Sequence, residues 1–587
     1  FDADNLVHPE FLREMNNHLC DEWFENKDVF NTPKDKTWIV NSNKIPFANE
    51  KNRTWQDFVK LKVLEISCGE APYLASRYDT TTGEWIDVNN RIGALDRKLR
   101  IINEQCDNEQ DWYNWALVAF KSTFGYEWQG DSLLIARENL LFTFIDYYTA
   151  RFEVFPIKDY LIEISKILSW NIWQMDGLKN VIPNSCKQIQ KRQMSLFEDE
   201  ETKFCEGCAK NDNSKHIGKY SRIMNWETKR SIKFFKGEKR MKFDFVIGNP
   251  PYQEDIENRG EQPPIYHFFY DAAINLSNKV MLITPARFLF NVGKTPSKWN
   301  IKMLNDEHFK VVNYWANSKD VFNGVDIKGG VAIGYRDASK NFGAIKTYTQ
   351  NETIKSILNK VGGKTNNTID EILFSNTSYK YHESFFIENP NFATRVSGGS
   401  KRYLSSSAFD KFPEAFFKTK PNIKEKYAKI LGRQNNARVY YYMKEKYLNP
   451  PSNYGKYKVF VPSSNGSGAI GEVFSTPLVG TPLVGTPLVG TTETFISFGS
   501  FDTMDMAENL LKYIKSKFAR IMLGTKKVTQ GNKNANTWAN VPLQDFTDKS
   551  DIDWSKSVHE IDLQLYKKYN LTQEEIDFIE SHVKEMK

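Results

Sequence analysis

Apolar residues at positions 11, 12, 15, 19, 23 and 24 recur at helical spacing behind Pro9, so residues 8–25 read as an amphipathic helix opened by a first-turn proline. The pattern then turns to short buried runs. Val63 to Ile66 reads as a strand, followed by a small-residue turn and a short helix within 61–79. Residues 122–148 repeat the theme as strand, polar turn and long apolar-periodic helix, and residues 164–178 lead into an Asp-Gly turn. Phe243, Phe245, Val246 and Ile247 predict another buried strand, stopped abruptly by Gly248 and two prolines. Segments 278–289, 309–322 and 329–336 add further strands. Strands separated by helical stretches imply an α/β fold: a mostly parallel sheet with helices on both faces.

Polar and charged sequence interrupts this rhythm at about 180–240. From about 340 the chain becomes rich in Asn, Ser, Lys and Tyr with short strands, and at 571–586 it returns to a helical pattern capped by Thr572. We therefore expect a catalytic domain over 1–340, a second, mixed α+β domain over 341–550 and a helical segment over 551–587. The pentapeptide Thr-Pro-Leu-Val-Gly occurs three times from 476, a spacing of Pro and Gly that makes a turn-rich loop or ribbon rather than a helix.

Composition is globular, and the net charge of +6 is modest for 587 residues. It is unevenly spread: residues 400–460 hold fourteen Lys or Arg against four Asp or Glu, a candidate polyanion surface or a solvated charged face. Six cysteines without a disulfide-framework spacing suit a reducing cytosol. With no signal peptide and no apolar run long enough to span a bilayer, a cytoplasmic protein without membrane partners is expected, provided Phe1 is near the natural start.

The chemistry gathers at strand ends, where ligands bind in open α/β sheets. The turn Cys68-Gly69-Glu70-Ala71-Pro72 lets backbone approach a cofactor closely. Glu127 ends the next strand, where a carboxylate can accept both hydroxyls of a ribose, although a surface acid fits too. Asp176 could accept from an exocyclic amine or simply cap its turn. Asn249-Pro250-Pro251-Tyr252 is more specific. The Asn249 amide oxygen and Pro250 carbonyl are two fixed acceptors, and Tyr252 offers a stacking face. An exocyclic amine on an aromatic base satisfies all three.

These residues resemble the gamma-class adenine-N6 DNA methyltransferases of bacterial restriction-modification systems, especially the type IIG-like branch. "GNPPY" is similar to catalytic motif IV, "VLEISCGEAPYL" to motif I, "GYEWQGDSLLIARENLL" to motif II, "NIWQMDGL" to motif III and "HPEFLREM" to motif X. The resemblance implies a Rossmann-like class I fold that binds S-adenosylmethionine through His8, Pro9, Glu65, Cys68, Gly69, Ala71 and Glu127, with Asp176 facing the cofactor adenine. "PIYHFFYDAA" looks like motif V and implies Tyr266 and Phe268 near the cofactor or target pocket. His8 replaces the usual Thr, and Ala71 a common second Gly. The implied chemistry flips adenine out of double-stranded DNA, holds it with Asn249, Pro250, Pro251 and Tyr252 and methylates N6 without Mg2+.

The second domain then resembles a target-recognition domain, with Arg433, Asn435, Lys456, Lys458, Arg520, Lys526, Lys527 and Gln530 as DNA-contact candidates. Only seven residues precede His8, so methylation without an attached nuclease is expected, with a restriction endonuclease in a separate chain as an option. The rivals are a bifunctional type IIG enzyme, a methyltransferase acting on RNA or protein, and an inactive DNA-binding subunit. Cys205 and Cys208, with Cys186 and His216, are a zinc candidate, weighed against ordinary reduced thiols as the favoured reading.

Overall fold

The computed structural model describes residues 8–47, 53–186, 205–210, 212–236, 239–254, 262–291, 293–322, 327, 329–396, 402–421, 424–465, 471–472, 481–527 and 530–586. The chain divides into two compact units, residues 1–346 and 347–587.

The first unit opens with helix α1 (Pro9–Phe24), whose N-terminus is capped by His8: the Glu10 N–H donates to His8 Nδ1 at 3.3 Å. Phe11, Leu12, Met15, Leu19 and Trp23 are its buried face. The sheet strands are β1 (Val63–Ile66), β2 (Thr123–Glu127), β3 (Ile172–Gln174), β4 (Phe245–Gly248), β5 (Lys279–Pro285), β6 (Phe309–Trp315) and β7 (Val331–Asp337). Their spatial order is β6-β7-β5-β4-β1-β2-β3. All neighbours from β5 to β3 are parallel, while β7 runs antiparallel to β5 and β6. This is the mostly parallel, Rossmann-like sheet expected above. Full burial of β1, β2 and β4 follows from helices on both faces, which explains why these strands read as continuous apolar runs.

Helices α2 (Ala94–Gln105), α3 (Glu109–Lys121), α4 (Gly130–Phe152), α5 (Lys158–Asn171) and α6 (Tyr266–Ile274) supply the crossovers. One expectation fails: no helix follows β1 directly, and the next α-helix is α2. Ser67, Gly69 and Ala71 all take positive φ (48°, 52° and 63°), and alternating left-handed residues cannot start a right-handed helix. The segment instead winds as turns into the Tyr78–Trp85 bridge.

Unit 2 combines a four-stranded and a three-stranded sheet with helices. The strands of these two sheets are β8 (Leu373–Phe374), β9 (Tyr427–Gln434), β10 (Ala437–Lys444), β11 (Tyr457–Pro462), β12 (Leu483–Gly485), β13 (Val489–Thr491) and β14 (Phe495–Phe501). The orders are β8-β14-β11-β12 and β10-β9-β13. Helices α7 (Glu352–Gly362), α8 (Met504–Lys515), α9 (Lys517–Gly524), α10 (Val558–Lys568) and α11 (Gln573–His582) share one core with β11 and β14, in which Trp554, Ile561, Leu565 and Ile579 from the last segment are buried beside Tyr513 and Phe518. Thr572 caps α11 in a reciprocal box with Glu575.

The pentapeptide repeat does more than turn. Its second copy forms β12 against β11, and its third forms β13 against β9. The first copy and residues 1–7 lie outside the described residues. No helix among the described residues is long and apolar enough to cross a membrane.

Candidate active site

Strand order reverses between β1 and β4, and the loops leaving their C-terminal ends lie side by side. Gly248 pairs with Ile66 in the β4–β1 register. A Cβ on Gly248 would come within 2.6 Å of the Ile66 carbonyl oxygen, so the close approach of the two loops requires glycine there.

The β1 loop is stitched to β2 from above. The Cys68 N–H donates to the Tyr126 carbonyl at 2.9 Å, and the Gly69 N–H donates to Glu127 Oε2 at 2.8 Å. Glu127 Oε1 accepts the N–H groups of Trp128 (2.8 Å) and Gln129 (3.0 Å) at the start of α4. Three backbone donors thus fix this carboxylate at the strand edge, with lone pairs left for further donors. Around Gly69 nothing comes within 4 Å of the position a Cβ would take, so the turn faces open space.

Two residues assigned to the cofactor turn inward instead. Glu65 is 1% exposed and its Oε2 accepts the Leu74 N–H at 3.2 Å. Burial drives its carboxyl well above the usual carboxylate range, and it braces the turn from below. The Cys68 side chain packs on Gly125 of β2, and burial pushes its thiol well up, leaving only the backbone of Cys68 at the edge. Ala71 is fully buried at φ 63°, holding with a methyl group a conformation that favours glycine.

Helix α1 is tied to this turn by polar side chains that sequence reasoning passed over. Asn16 Nδ2 donates to the Tyr73 carbonyl at 3.1 Å, and the buried Arg97 guanidinium donates to the Asn16 carbonyl and to Asn17 Oδ1. His8 Nε2 lies 4.0 Å from Asp79, and Pro9 is buried. His8 thus serves as the helix cap, a position that Thr also favours.

Beyond β3, Asp176 Oδ1 accepts the N–H groups of Leu178 and Lys179, both at 3.1 Å, and Oδ2 lies 3.3 Å from Lys179 Nζ. This is the turn-capping arrangement, and it leaves the carboxylate partly exposed. The Met175 N–H donates to the Glu127 carbonyl at 2.9 Å, so the two acids end adjacent strands.

After Gly248, Asn249 is partly exposed, Pro250 buried, Pro251 exposed and Tyr252 half-buried. The Tyr252 ring meets Phe322 edge-on at 6.1 Å, and its carbonyl accepts the Ile265 N–H at 3.0 Å. Burial holds the Tyr252 hydroxyl well above the usual phenol range, so it stays neutral, and no partner for it lies among the described residues. In α6 the aromatic that reaches the Asp176 turn is Phe269, whose ring edge lies against Gly177. Phe268 is 41% exposed on another face, and Tyr266 is buried with its hydroxyl 2.7 Å from Thr295 Oγ1. Adjacent helical residues diverge by about 100°, so these three rings leave α6 in different directions.

In unit 2, three candidate DNA contacts are structural. Lys458 is fully buried and donates to the carbonyls of Asn453 (2.8 Å), Tyr454 (3.0 Å) and Lys456 (2.9 Å). Arg520, 2% exposed, donates to the carbonyls of Lys515, Ser516, Gly471 and Lys584. Lys527, 4% exposed, is held by Asn465 and Glu472. Cations so enclosed cannot reach a phosphate. Arg433, Asn435 and Gln530 are exposed, Lys526 is half-buried, and Lys456 pairs with Asp502 at the surface. Cys186, Cys205, Cys208 and His216 converge, as described below.

The sheet and its two adjoining loops define a Rossmann-like unit. Residues 122–322, from the edge of β2 to Phe322, match the Eco57I restriction-modification methylase family. The chain is 30% identical over 145 residues to an uncharacterized adenine-specific methylase of Mycoplasma pneumoniae, a stretch covering 23% of this chain and 34% of that protein. It thus spans about a third of the curated relative it matches. Similar solved structures include the type IIL restriction-modification enzyme MmeI in complex with DNA (10% identity, 90% of this chain, 73% of that one, TM-score 0.34). Another is the M protein of the type I restriction enzyme EcoKI (11% identity, 50% of this chain, 45% of that one, TM-score 0.24).

Proposed function

We propose that this chain transfers a methyl group from S-adenosylmethionine to the N6 amino group of adenine in double-stranded DNA, within a restriction-modification or related defence system. The observation that carries the reading is the junction of two loops at the sheet's reversal point: the Ile66–Ala71 turn and the Gly248–Tyr252 loop, one strand apart. The match to a restriction-modification methylase family and the adenine-specific relative support it.

The residues fit the cofactor on this structure's own terms. The open space over Gly69 admits a ligand against backbone, and Glu127 presents a fixed carboxylate beside it. When bound, S-adenosylmethionine supplies an electrophilic methyl group. Asn249 and the Pro250 carbonyl accept hydrogen bonds from the target amine and aim its lone pair along the transfer line, while Tyr252 stacks on the base. Adenine must leave the duplex to reach them, so the enzyme flips its base. Unit 2 reads the target sequence, and its exposed Arg433, Asn435 and Gln530 are its contact candidates.

Single-molecule sequencing of genomic DNA from cells expressing the chain tests this beside an Asn249→Ala control. Modified adenines in one sequence context, absent in the control, are expected. Methyl transfer to RNA or protein but not to duplex DNA in vitro overturns the substrate.

A further inference from the structure

We propose that Cys186, Cys205, Cys208 and His216 form a structural zinc site that clasps the polar insertion onto the loop bearing Asp176. The ligand atoms of all four lie within 4.8 Å of one another. His216 Nδ1 is 3.6 Å from Cys186 Sγ, 3.5 Å from Cys205 Sγ and 3.6 Å from Cys208 Sγ. One ring nitrogen has a single lone pair or a single proton and cannot hydrogen-bond three thiols at once. A tetrahedral zinc with its ordinary Zn–S and Zn–N lengths separates sulfur from nitrogen ligands by about 3.5 Å, which is the spacing observed.

The surroundings are built for such a centre. A Cβ on Gly207, between the two clustered cysteines, would come within 2.8 Å of His216 Nδ1, and one on Gly218 within 2.7 Å of Cys186 Sγ. Both positions must lack side chains for the ligands to close up. The Ile217 N–H donates to Cys205 Sγ at 3.5 Å, as backbone amides do to a metal-bound thiolate. His216 Nδ1 faces all three sulfurs, so it is the nitrogen available to the metal. Four protein ligands leave no open position, which marks a structural rather than a catalytic zinc.

What the site holds together follows from the backbone. Residues 217–221 run along 174–185: Ile182 N–H donates to the Lys219 carbonyl (2.8 Å) and Ser221 N–H to the Asn180 carbonyl (3.1 Å), while within the first arm Asp176 N–H donates to the Val181 carbonyl (2.8 Å). Cys186 and His216 sit at the open ends of these two arms. Zinc joins the arms there, and the ladder transmits the constraint to Asp176. Binding takes three thiolates and one neutral imidazole and releases the thiol protons to solvent.

The test uses the whole chain purified without chelators. Elemental analysis should give about one zinc per chain, falling below about a tenth in Cys205→Ser/Cys208→Ser and unchanged in Cys106→Ser. Because the double variant could fail to fold, the unaltered chain is also reconstituted with Co2+ alone, which should give the intense visible bands of tetrahedral thiolate-bound cobalt. Amide exchange over 176–182 and 217–221 should accelerate on zinc removal. Less than about a tenth of a zinc per chain after growth in zinc and reconstitution, an octahedral cobalt spectrum, or unaltered exchange overturns the proposal. None of these readouts depends on methyl transfer.

Discussion

The Gly69 backbone N–H points at the Glu127 carboxylate, 2.8 Å from Oε2, so the turn after β1 and the end of β2 form one hydrogen-bonded unit. Replacing Glu127 with Gln keeps the size but can turn an N–H2 against a backbone donor. We expect Glu127→Gln to raise the dissociation constant for S-adenosylmethionine by about 10- to 100-fold, roughly 1.4–2.7 kcal/mol, measured by titration calorimetry. An unchanged constant removes Glu127 from the cofactor pocket.

Tyr252 separates two contributions, because its hydroxyl has no partner among the described residues while its ring follows the Asn249–Pro250 acceptors in the same loop. Tyr252→Phe should keep methylation within about threefold, and Tyr252→Ala should lose about 1–3 kcal/mol of base stacking, a 5- to 150-fold fall in kcat/KM on duplex DNA. Equal losses in the two variants would assign the role to the hydroxyl instead.

His18, on α1, packs edge-on against Tyr335 at 4.7 Å. Burial, aided by Lys310 and Lys340 and opposed by Glu22, pulls its imidazole from 6.5 down to about 4. The folded protein therefore favours the neutral ring. Its contribution to stability is complete above about pH 6.5 and is lost as pH falls toward about 4, up to about 3 kcal/mol. Denaturant unfolding at several pH values should show this slope, and His18→Gln should flatten it.

Arg520 and Arg433 should behave oppositely. Arg520→Met leaves buried carbonyls of Lys515, Ser516, Gly471 and Lys584 without their donor and should cost about 2 kcal/mol or more in thermal unfolding. Arg433→Ala, at an exposed position, should leave stability within about 0.5 kcal/mol and reduce the salt dependence of DNA binding by about one ion. A salt dependence matching the unaltered protein excludes Arg433 from phosphate contact.

Legibility followed the physical reach of each signal. Buried strands such as Val63–Ile66 and Phe245–Gly248 are continuous in sequence, so their period announced them. The missing helix after β1 was hidden because left-handed φ at Ser67 and Ala71 is set by the pairing of the turn with β2, not by local propensity. Lys458 and Arg520 were misread as ligands for DNA because composition reports charge and not depth. Cys205 and Cys208 have a suitable spacing in the sequence, but Cys186 and His216 are loosely placed, and only the pairing of residues 217–221 with 174–185 closes the distance.

The repeated Thr-Pro-Leu-Val-Gly unit carries a hereditary consequence. Identical copies supply β12 in one sheet and β13 in another. Leu483 is half-buried in the first of these, and its counterpart Leu488 is 55% exposed at φ 63°. Since every copy is a whole number of codons, gain or loss of one preserves the reading frame and still leaves the same residues to make both strands. The gene can therefore lengthen or shorten the spacer before β12 in a single replication error, with both sheets of the second unit spelled by the same letters as before.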